Sequence, residues 1–352
     1  MATPAPEIVD VDVHAVVPSI DALLPYMAAH WREYATTSQF RGPTDGTYPA
    51  NAATSRDPSL EPVDGAPPGT TLRSLQQQLL DPWGTSVAIV NCVYGIDGVR
   101  NPDVAVALAS AVNDWLVEHW LDRDPRLRAS IVVPSQLVAE SVAEIERRAV
   151  DRRFVQLLLP VRTAVPWGNR NLLPILEAAA RHELPVALHF GGNPGLPPTA
   201  SGWPTSYSED YVAMASAFQS QLTSLVAEGV FDRLPGLRVV LLESGFGWLP
   251  GWMWRFDKGW RGLRREIPWT TRAPSEYVRE QVRIGVQPID GPEGTERMRA
   301  LIGQIGGAGM LLFSTDYPHL HFTDREHAVP AGLDDAELAA VMAANARALY
   351  RL

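Results

Sequence analysis

The sequence predicts a single α/β domain, residues 1–352, that folds as a (β/α)8 barrel of the TIM type with a long insertion after the first βα unit. Three observations support this fold. Eight short apolar runs alternate along the chain with longer segments of helical periodicity. The runs are continuously apolar, which is typical of parallel strands buried on both faces. Four of them end in an acidic residue or a histidine, where a barrel places its functional groups.

The first strand, 7–14, alternates apolar and polar residues. A period of two places Asp10, Asp12 and His14 on one face of this strand. Asp12 and His14 therefore leave the strand side by side and offer a carboxylate oxygen and an imidazole nitrogen to one cation. Asp10 lies one pleat deeper, so we expect it to support the ligands rather than to bind the cation.

The remaining elements follow by the same criteria. Strands are predicted at 87–94, 127–133, 154–159, 185–189, 237–242, 282–286 and 310–314. Helices are predicted at 19–32, 71–80, 102–121, 135–150, 172–182, around 211–225, and at 247–265, 294–303 and 334–347. The insertion, about 36–71, is rich in Pro, Gly, Thr and Ser, and a loop of that length is typical of a lid or a subunit contact.

Composition excludes several classes of function. The chain has 352 residues, a formal charge of −10 and 46% hydrophobic residues, so we expect no nucleic-acid partner. It lacks a signal-peptide pattern at its start and any apolar run of membrane-spanning length, and its single cysteine, Cys92, fits a reducing compartment. We therefore expect a cytoplasmic protein without a membrane partner. No Gly-x-Gly-x-x-Gly follows the first strand and no Walker-type Gly-Lys-Ser/Thr is present, which disfavours dinucleotide and P-loop sites.

The polar residues at the predicted strand ends form a candidate metal site. Its members are Asp12, His14, His189, Glu243 and Asp316, joined by His319 three residues after Asp316. A carboxylate at the end of an apolar run is costly to bury unless it is paired or coordinated, and a cation balances several at once. Each residue alone has an ordinary alternative: Glu243 can pair with Arg255, and His319 can cap a loop.

Four motifs carry a resemblance to a known family: Asp12-Val-His14, His189-Phe-Gly-Gly, Glu243-Ser-Gly-Phe-Gly-Trp-Leu-Pro and Phe-Ser-Thr-Asp316-Tyr-Pro-His319. Together they resemble the amidohydrolase superfamily, and within it the branch that includes aminocarboxymuconate-semialdehyde decarboxylase and the resorcylate decarboxylases. The resemblance implies a distorted (β/α)8 barrel and a divalent metal held by Asp12, His14, His189 and Asp316.

The chain departs from the family pattern at two places. Many members have His-x-His on the first strand, where this chain has Asp12-x-His14. The sixth strand often ends in a histidine that acts as acid and base, and here that place is taken by Glu243. Glu243 or Asp316 would therefore have to move the proton in a decarboxylase-type mechanism.

Three functions remain open from the sequence. The first is a mononuclear Zn²⁺ or Mn²⁺ enzyme that hydrolyses a C–N bond or decarboxylates a small acid, with Asp316, Glu243 and His319 as catalytic candidates. The second is a dinuclear iron or manganese oxygenase, because the six strand-end residues offer more ligands than one tetrahedral ion can bind. The third is a non-catalytic barrel subunit that keeps a structural metal.

The partners follow from these functions. We expect a small carboxylic acid or amide as substrate, and a homo-oligomer or a hetero-oligomer with a related barrel subunit. An arginine at the barrel mouth could clamp a substrate carboxylate, and the candidates for substrate contact in loops are Arg56, Arg162 and Asn193. The tryptophans after the sixth strand are predicted to pack in the core or an interface rather than to wall a pocket: Trp248, Trp252, Trp254 and Trp260.

Overall fold

The computed structural model describes residues 7–43, 57–319 and 327–352. Eight parallel strands form one sheet in which each strand pairs with the next along the chain. The strands are β1 (Val9–His14), β2 (Val87–Asn91), β3 (Leu127–Val132), β4 (Phe154–Pro160), β5 (Val186–His189), β6 (Val239–Leu242), β7 (Val282–Gly285) and β8 (Leu311–Leu312). This sequential parallel order, with helices between the strands, confirms the predicted (β/α)8 barrel.

The sheet closes between β8 and β1 through a few backbone hydrogen bonds. The Val11 amide donates to the Phe313 carbonyl at 3.0 Å, and the His14 amide donates to the Tyr317 carbonyl at 2.8 Å. The C-terminal helical segment also enters this seam, because the Phe313 amide donates to the carbonyl oxygen of Val341 at 3.0 Å. The barrel is therefore nearly closed and is distorted at the β8–β1 seam.

Helices cover the outside of the barrel. They are α1 (Ala29–Ser38), α2 (Leu72–Leu75), α3 (Asp81–Trp83), α4 (Pro102–Leu116), α5 (Val138–Arg148), α6 (Leu173–Arg181), α7 (Tyr207–Ala227), α8 (Val230–Arg233), α9 (Leu249–Leu263), α10 (Pro274–Gln281), α11 (Thr295–Ile305), α12 (Asp335–Ala339) and α13 (Asn345–Tyr350). π-Helical turns at Gln76–Leu80, Val117–Leu121 and Ala340–Ala344 join or extend them. Across the described ranges, none of these helices combines the length and apolarity needed to cross a bilayer.

Local sequence explains where the helices begin. Asn101 caps α4 by accepting the amide of Asp103 at 3.1 Å, and Pro102 occupies the first turn, where its missing N–H costs nothing. The α7 helix begins with a capping box in which the Ser206 side chain and the Glu209 side chain each accept the other's backbone amide.

One helix prediction was wrong for most of its range, one helix was missed, and part of the predicted insertion lies outside the described residues. The helix predicted at 19–32 is instead two 3₁₀ turns, Ile20–Ala22 and Leu24–Tyr26, and only its end falls in a helix, α1 from Ala29. Pro25 has no amide hydrogen to donate to the Asp21 carbonyl, so a continuous α-helix is disfavoured here. The α10 helix was not predicted. The predicted insertion, 36–71, includes residues 44–56, which lie outside the described ranges, so its role as a lid or contact stays a prediction.

Candidate metal centre

The structure brings all six predicted strand-end residues to one point at the carboxyl ends of the strands. They come from four elements: Asp12 and His14 from β1, His189 from β5, Glu243 after β6, and Asp316 and His319 after β8. Five of the six side chains are less than a tenth exposed, whereas 21% of the His319 side chain is exposed. These residues therefore form one buried cluster that opens toward solvent at His319.

One group of potential ligands comprises Asp12, His14, His189 and Glu243, whose ligand atoms lie within 4.8 Å of one another. His189 Nε2 lies 3.3 Å from Asp12 Oδ1 and 3.6 Å from Glu243 Oε1. His189 Nδ1 lies 2.8 Å from the carbonyl oxygen of Phe190, to which it can only donate. This bond turns Nε2 toward the cluster, so that once a cation displaces the Nε2 proton its lone pair is placed as a metal ligand requires.

A second group comprises His14, Glu243, Asp316 and His319 and meets the same distance limit. His14 Nε2 lies 3.1 Å from both Glu243 Oε1 and Asp316 Oδ1. His319 Nδ1 lies 2.7 Å from Asp316 Oδ1 and 3.2 Å from Glu243 Oε1. The two groups share His14 and Glu243, which lie between the other members.

The donor set fits a divalent cation. Within the described residues, Asp12 Oδ2 and Asp316 Oδ2 are buried and have no hydrogen-bond partner. Burying a carboxylate oxygen that has no hydrogen-bond partner destabilises the folded state, and coordination of a cation by that oxygen removes the penalty. A mixture of imidazole nitrogens and carboxylate oxygens suits Zn²⁺, Mn²⁺ or Fe²⁺ better than Ca²⁺ or Mg²⁺, which prefer oxygen alone.

Charge in the cluster is balanced between carboxylates and imidazoles. Burial alone lowers the pKa of His189, but the carboxylates of Glu243 and Asp12 outweigh it and raise the pKa to about 10. Burial raises the pKa of Glu243, but His189, His14 and His319 outweigh it and hold the pKa well below 4.5. Protons on imidazoles thus compensate the carboxylates when no cation does, and a bound cation would displace those protons.

The turns that carry Glu243 and Asp316 have unusual backbone conformations. Glu243 has φ of 55° and Asp316 has φ of 59°, in the left-handed region that is strained for residues other than glycine. The Asp290 carboxylate holds the first turn, because it accepts the backbone amides of Phe246 at 2.5 Å and Gly247 at 2.9 Å. Asp290 therefore positions Glu243 from a different loop.

Asp10 plays the corresponding part in the turn after β8. Its carboxylate accepts the backbone amide of Thr315 at 3.1 Å and the Thr315 hydroxyl at 2.7 Å, and also the Asp12 amide at 3.1 Å. Burial raises the pKa of Asp10 to about 7. Asp10 thus bonds to the residues beside Asp12 and Asp316 and lies behind the ligands, at the place its strand position predicts.

Sequence reasoning missed two residues that support the cluster. Asn91 ends β2 and donates from Nδ2 to Asp12 Oδ1 at 2.8 Å. A single amide at the end of the apolar run 87–91 was a signal that could have identified it. Asp290 carried no such signal, because its role depends on amides more than 40 residues away in the chain.

Of the weaker candidates for substrate contact, the structure shows an engaged side chain for Arg162. The Arg162 guanidinium makes a buried, bidentate ion pair with Asp210 of α7, so its terminal nitrogens are occupied by a protein carboxylate. The backbone N–H of Asn193 donates to the Asp97 carboxylate at 2.7 Å, which ties this part of the loop to Asp97. Arg56 lies outside the described residues.

The tryptophans after β6 divide between packing and exposure. Trp248 donates to the Ser244 carbonyl at 2.9 Å, and Trp252 is nearly buried and donates to Thr223 at 3.0 Å. Trp260 donates to the Thr270 carbonyl, whereas Trp254 is 60% exposed. Packing thus accounts for Trp248, Trp252 and Trp260, whereas for the exposed Trp254 a place in an interface stays a prediction.

Comparison with known proteins adds sequence and fold relatives. The family profile described as amidohydrolase (Amidohydro_2) matches residues 9–352. The gamma-resorcylate decarboxylase of Rhodococcus jostii RHA1 is 25% identical over 332 residues, which cover 84% of this chain and 95% of that protein.

Two solved structures share the fold over nearly the whole of both chains. The 2,6-dihydroxybenzoate decarboxylase from Rhizobium has a TM-score of 0.71 at 20% identity and covers 98% of this chain and 99% of its own. The dihydroxybenzoic acid decarboxylase of Polaromonas sp. JS666, with bound manganese and the inhibitor 2-nitroresorcinol, has a TM-score of 0.68 at 19% identity and covers 99% and 97%.

Proposed function

Because the chain belongs to the amidohydrolase family, we propose that it is a metal-dependent carboxy-lyase that removes carbon dioxide from a small aromatic carboxylic acid. The membership confirms the resemblance drawn from the strand-end motifs. One structural observation carries the proposal: three carboxylates and three imidazoles meet in a buried cluster at the barrel mouth. The related decarboxylases support this reaction over C–N hydrolysis and over a purely structural subunit.

The proposed ligands of a divalent metal are the four that the family resemblance implies: Asp12, His14, His189 and Asp316. Glu243 belongs to both groups of closely spaced ligand atoms and His319 to one of them, so both lie beside the proposed ligands. When bound, such a cation supplies positive charge that orients and neutralises a substrate carboxylate. The two buried carboxylate oxygens without partners, on Asp12 and Asp316, support this assignment. Manganese in the Polaromonas relative makes Mn²⁺ the first metal to test.

Proton transfer is assigned to Asp316 and His319. Decarboxylation breaks the bond between the carboxylate carbon and the carbon that bears it, and that carbon takes a proton as carbon dioxide leaves. Asp316 is assigned to this step because its carboxylate lies inside the cluster and contacts the one member that reaches solvent, His319. His319 lies 2.7 Å from Asp316 and is the most exposed member, so it passes protons from solvent to Asp316.

The proposal is tested by incubating Mn²⁺-loaded protein with 2,6-dihydroxybenzoate and related hydroxybenzoates in D₂O. We expect release of carbon dioxide and a phenol that carries deuterium at the vacated ring carbon. The His189→Ala variant, which lacks one ligand, is the matched control and should release none. Absence of carbon dioxide from every aromatic acid, by protein shown to contain metal, would contradict the proposal.

A second candidate function is a dinuclear iron or manganese oxygenase. The observation that favours it is the pair of overlapping ligand groups, which share His14 and Glu243 and leave two ligands outside each group. Elemental analysis of protein purified without added metal separates the candidates. About one ion per chain supports the carboxy-lyase, whereas two ions of iron or manganese with substrate-dependent oxygen uptake support the oxygenase.

Oligomeric state and location complete the proposal. We propose an oligomer built on α7 and α9, which contact each other and carry three largely exposed apolar side chains, Val212, Trp254 and Leu263. Light scattering at micromolar concentration tests this, and a monomeric mass would contradict it.

The single buried cysteine, Cys92, supports a cytoplasmic location.

A further inference from the structure

A line of buried polar side chains runs through the barrel interior from Asp12 toward the C-terminal helix. Asn91 Nδ2 donates to Asp12 Oδ1 at 2.8 Å, and Asn91 Oδ1 accepts from Ser130 Oγ at 2.5 Å and from Gln156 Nε2 at 3.1 Å. Gln156 Oε1 accepts from the Tyr350 hydroxyl at 2.7 Å. Asn91, Ser130 and Gln156 are fully buried, so bulk water does not compete for these bonds.

The charge of Asp12 fixes the direction of every bond in this line. A carboxylate can only accept, so Asn91 must present its NH₂ group to Asp12 and its oxygen to Ser130 and Gln156. Gln156 must then present its NH₂ group to Asn91 and its oxygen to Tyr350. The Tyr350 hydroxyl must therefore donate, which makes Tyr350 the last donor in a line that begins at Asp12.

The position of α13 explains how the end of the chain reaches the barrel interior. This segment follows the π-turn that enters the seam between β8 and β1 at Val341. Asn345 Nδ2 ties it to the start of β8, because it donates to the carbonyls of Ala308 at 2.9 Å and Leu311 at 2.8 Å. Burial raises the pKa of Tyr350 well above 10, and the Asp12 charge adds to it, so the hydroxyl keeps its proton.

We propose that Tyr350 is a positioning residue for the metal centre, and that its hydroxyl fixes the orientation of the Asp12 carboxylate through Gln156 and Asn91. The inference rests on the metal site of the proposed function and is independent of which reaction the site performs. If it holds, Tyr350 of α13 contributes to the affinity of the site for the cation although it does not contact the cation.

The test is a titration of metal-free protein with Zn²⁺ in competition with a chromophoric chelator. Loss of a group that orients a ligand typically weakens metal binding by about 10- to 100-fold, which we expect for Asn91→Ala. For Tyr350→Phe, one amide further from the ligand, we expect roughly a three- to tenfold increase in the dissociation constant, the worth of one neutral hydrogen bond. The double variant should bind as weakly as Asn91→Ala alone, because Tyr350 acts through Asn91.

The matched control is Tyr277→Phe. Tyr277 is fully buried in α10 and lies outside the polar line: its hydroxyl donates to Asp232 at 2.7 Å and accepts the backbone amides of Thr271 and Arg272. Its Zn²⁺ affinity should equal that of the wild type, although its melting temperature without metal should fall at least as much as that of Tyr350→Phe, because more hydrogen bonds are lost. The inference would be overturned, and the proposed function left intact, by either of two results. One is wild-type Zn²⁺ affinity in Tyr350→Phe, and the other is a loss of affinity in Tyr277→Phe as large as that in Tyr350→Phe. A wild-type protein that binds no Zn²⁺ or Mn²⁺ would overturn the proposed function as well.

Discussion

At the scale of single residues, the six side chains at the barrel mouth differ in how much solvent they meet. Asp12, His14, His189 and Asp316 are nearly inaccessible, as expected of groups that hold a cation, whereas His319 is partly exposed. A group that exchanges protons with water must contact water. Exposure and its 2.7 Å contact with Asp316 therefore separate His319 from the four ligands proposed on the resemblance.

Replacing His319 should slow the reaction without emptying the site. For His319→Asn we expect the decarboxylation rate to fall by about 10²- to 10⁴-fold, the usual contribution of a positioned acid–base group. Metal content should remain that of the wild type, because the four proposed ligands are intact. Initial rates and metal per chain are measured on the same preparation.

His182→Asn serves as the control for this change. His182 is a half-buried histidine paired with Glu146, outside the metal centre, so its loss should leave the rate unchanged. Loss of metal from His319→Asn would contradict the relay role and would make His319 a ligand, as the dinuclear alternative requires.

At the scale of elements, the turn after β6 shows how backbone conformation aims a functional side chain. Glu243 and Gly245 both have positive φ, of 55° and 60°, and the turn is held from outside by Asp290. A Cβ atom at Gly245 would lie 2.2 Å from an Asp290 carboxylate oxygen. Only glycine satisfies both the conformation and the close approach at this position.

Gly245→Ala should therefore destabilise the protein by about 1–3 kcal/mol, the usual cost of a strained backbone conformation. Gly251→Ala is the matched control, since Gly251 lies in α9 and a Cβ added there would meet open space, so alanine should stabilise the helix by about 0.5–1 kcal/mol. Denaturant unfolding of both variants measures the difference. Equal free energies of unfolding would show that the turn tolerates a side chain.

The sequence could predict the strands and the site because both are encoded within short segments. An apolar run that stops at His189 or Glu243 reveals a strand and its functional end in the same few residues. The supports could not be predicted, because Asp290 and Tyr350 act through partners 44 and 194 residues away. The prediction of a helix at 19–32 was wrong for a local reason, because it rested on periodicity and did not take Pro25 into account.

A second element-scale feature ties the π-turn Gln76–Leu80 to the start of β3. The Asp124 carboxylate accepts from Gln76 Nε2 at 2.9 Å and from the Arg126 guanidinium at 2.7 Å. Burial raises the pKa of Asp124, but the bonds from Arg126 and Gln76 outweigh it and lower the pKa to about 2. Asp124 therefore keeps its charge in the folded protein at pH values where the unfolded chain takes up a proton.

This depressed pKa predicts a pH-dependent contribution to stability. The contribution is complete above the ordinary aspartate pKa of 3.8 and is lost as the pH falls through about 2. We expect Asp124→Asn to lower the free energy of unfolding by about 2 kcal/mol at pH 7 and by progressively less between pH 4 and pH 2. Urea unfolding across that range measures it, and a difference from wild type that does not change with pH would contradict the assignment.

At the scale of the whole molecule, the barrel gathers side chains from the first, fifth, sixth and eighth strands, which span most of the chain. The unfolded chain cannot keep these groups together, so a cation that binds them stabilises the folded state selectively. Metal occupancy and global stability are therefore linked in this protein, and the metal site can be tested by unfolding without any substrate.

Removing the metal should lower the melting temperature. A cation present at about a thousandfold above its dissociation constant adds about 4 kcal/mol to the stability of the folded state. In a chain of this length we expect the shift to be about 5 °C. The measurement is a thermal melt of chelator-treated protein with and without added Zn²⁺ or Mn²⁺. His14→Ala should melt at one temperature in both conditions, because His14 belongs to both ligand groups. If added metal leaves the melting temperature of the wild type unchanged, hydrogen bonds and protons alone balance the buried carboxylates.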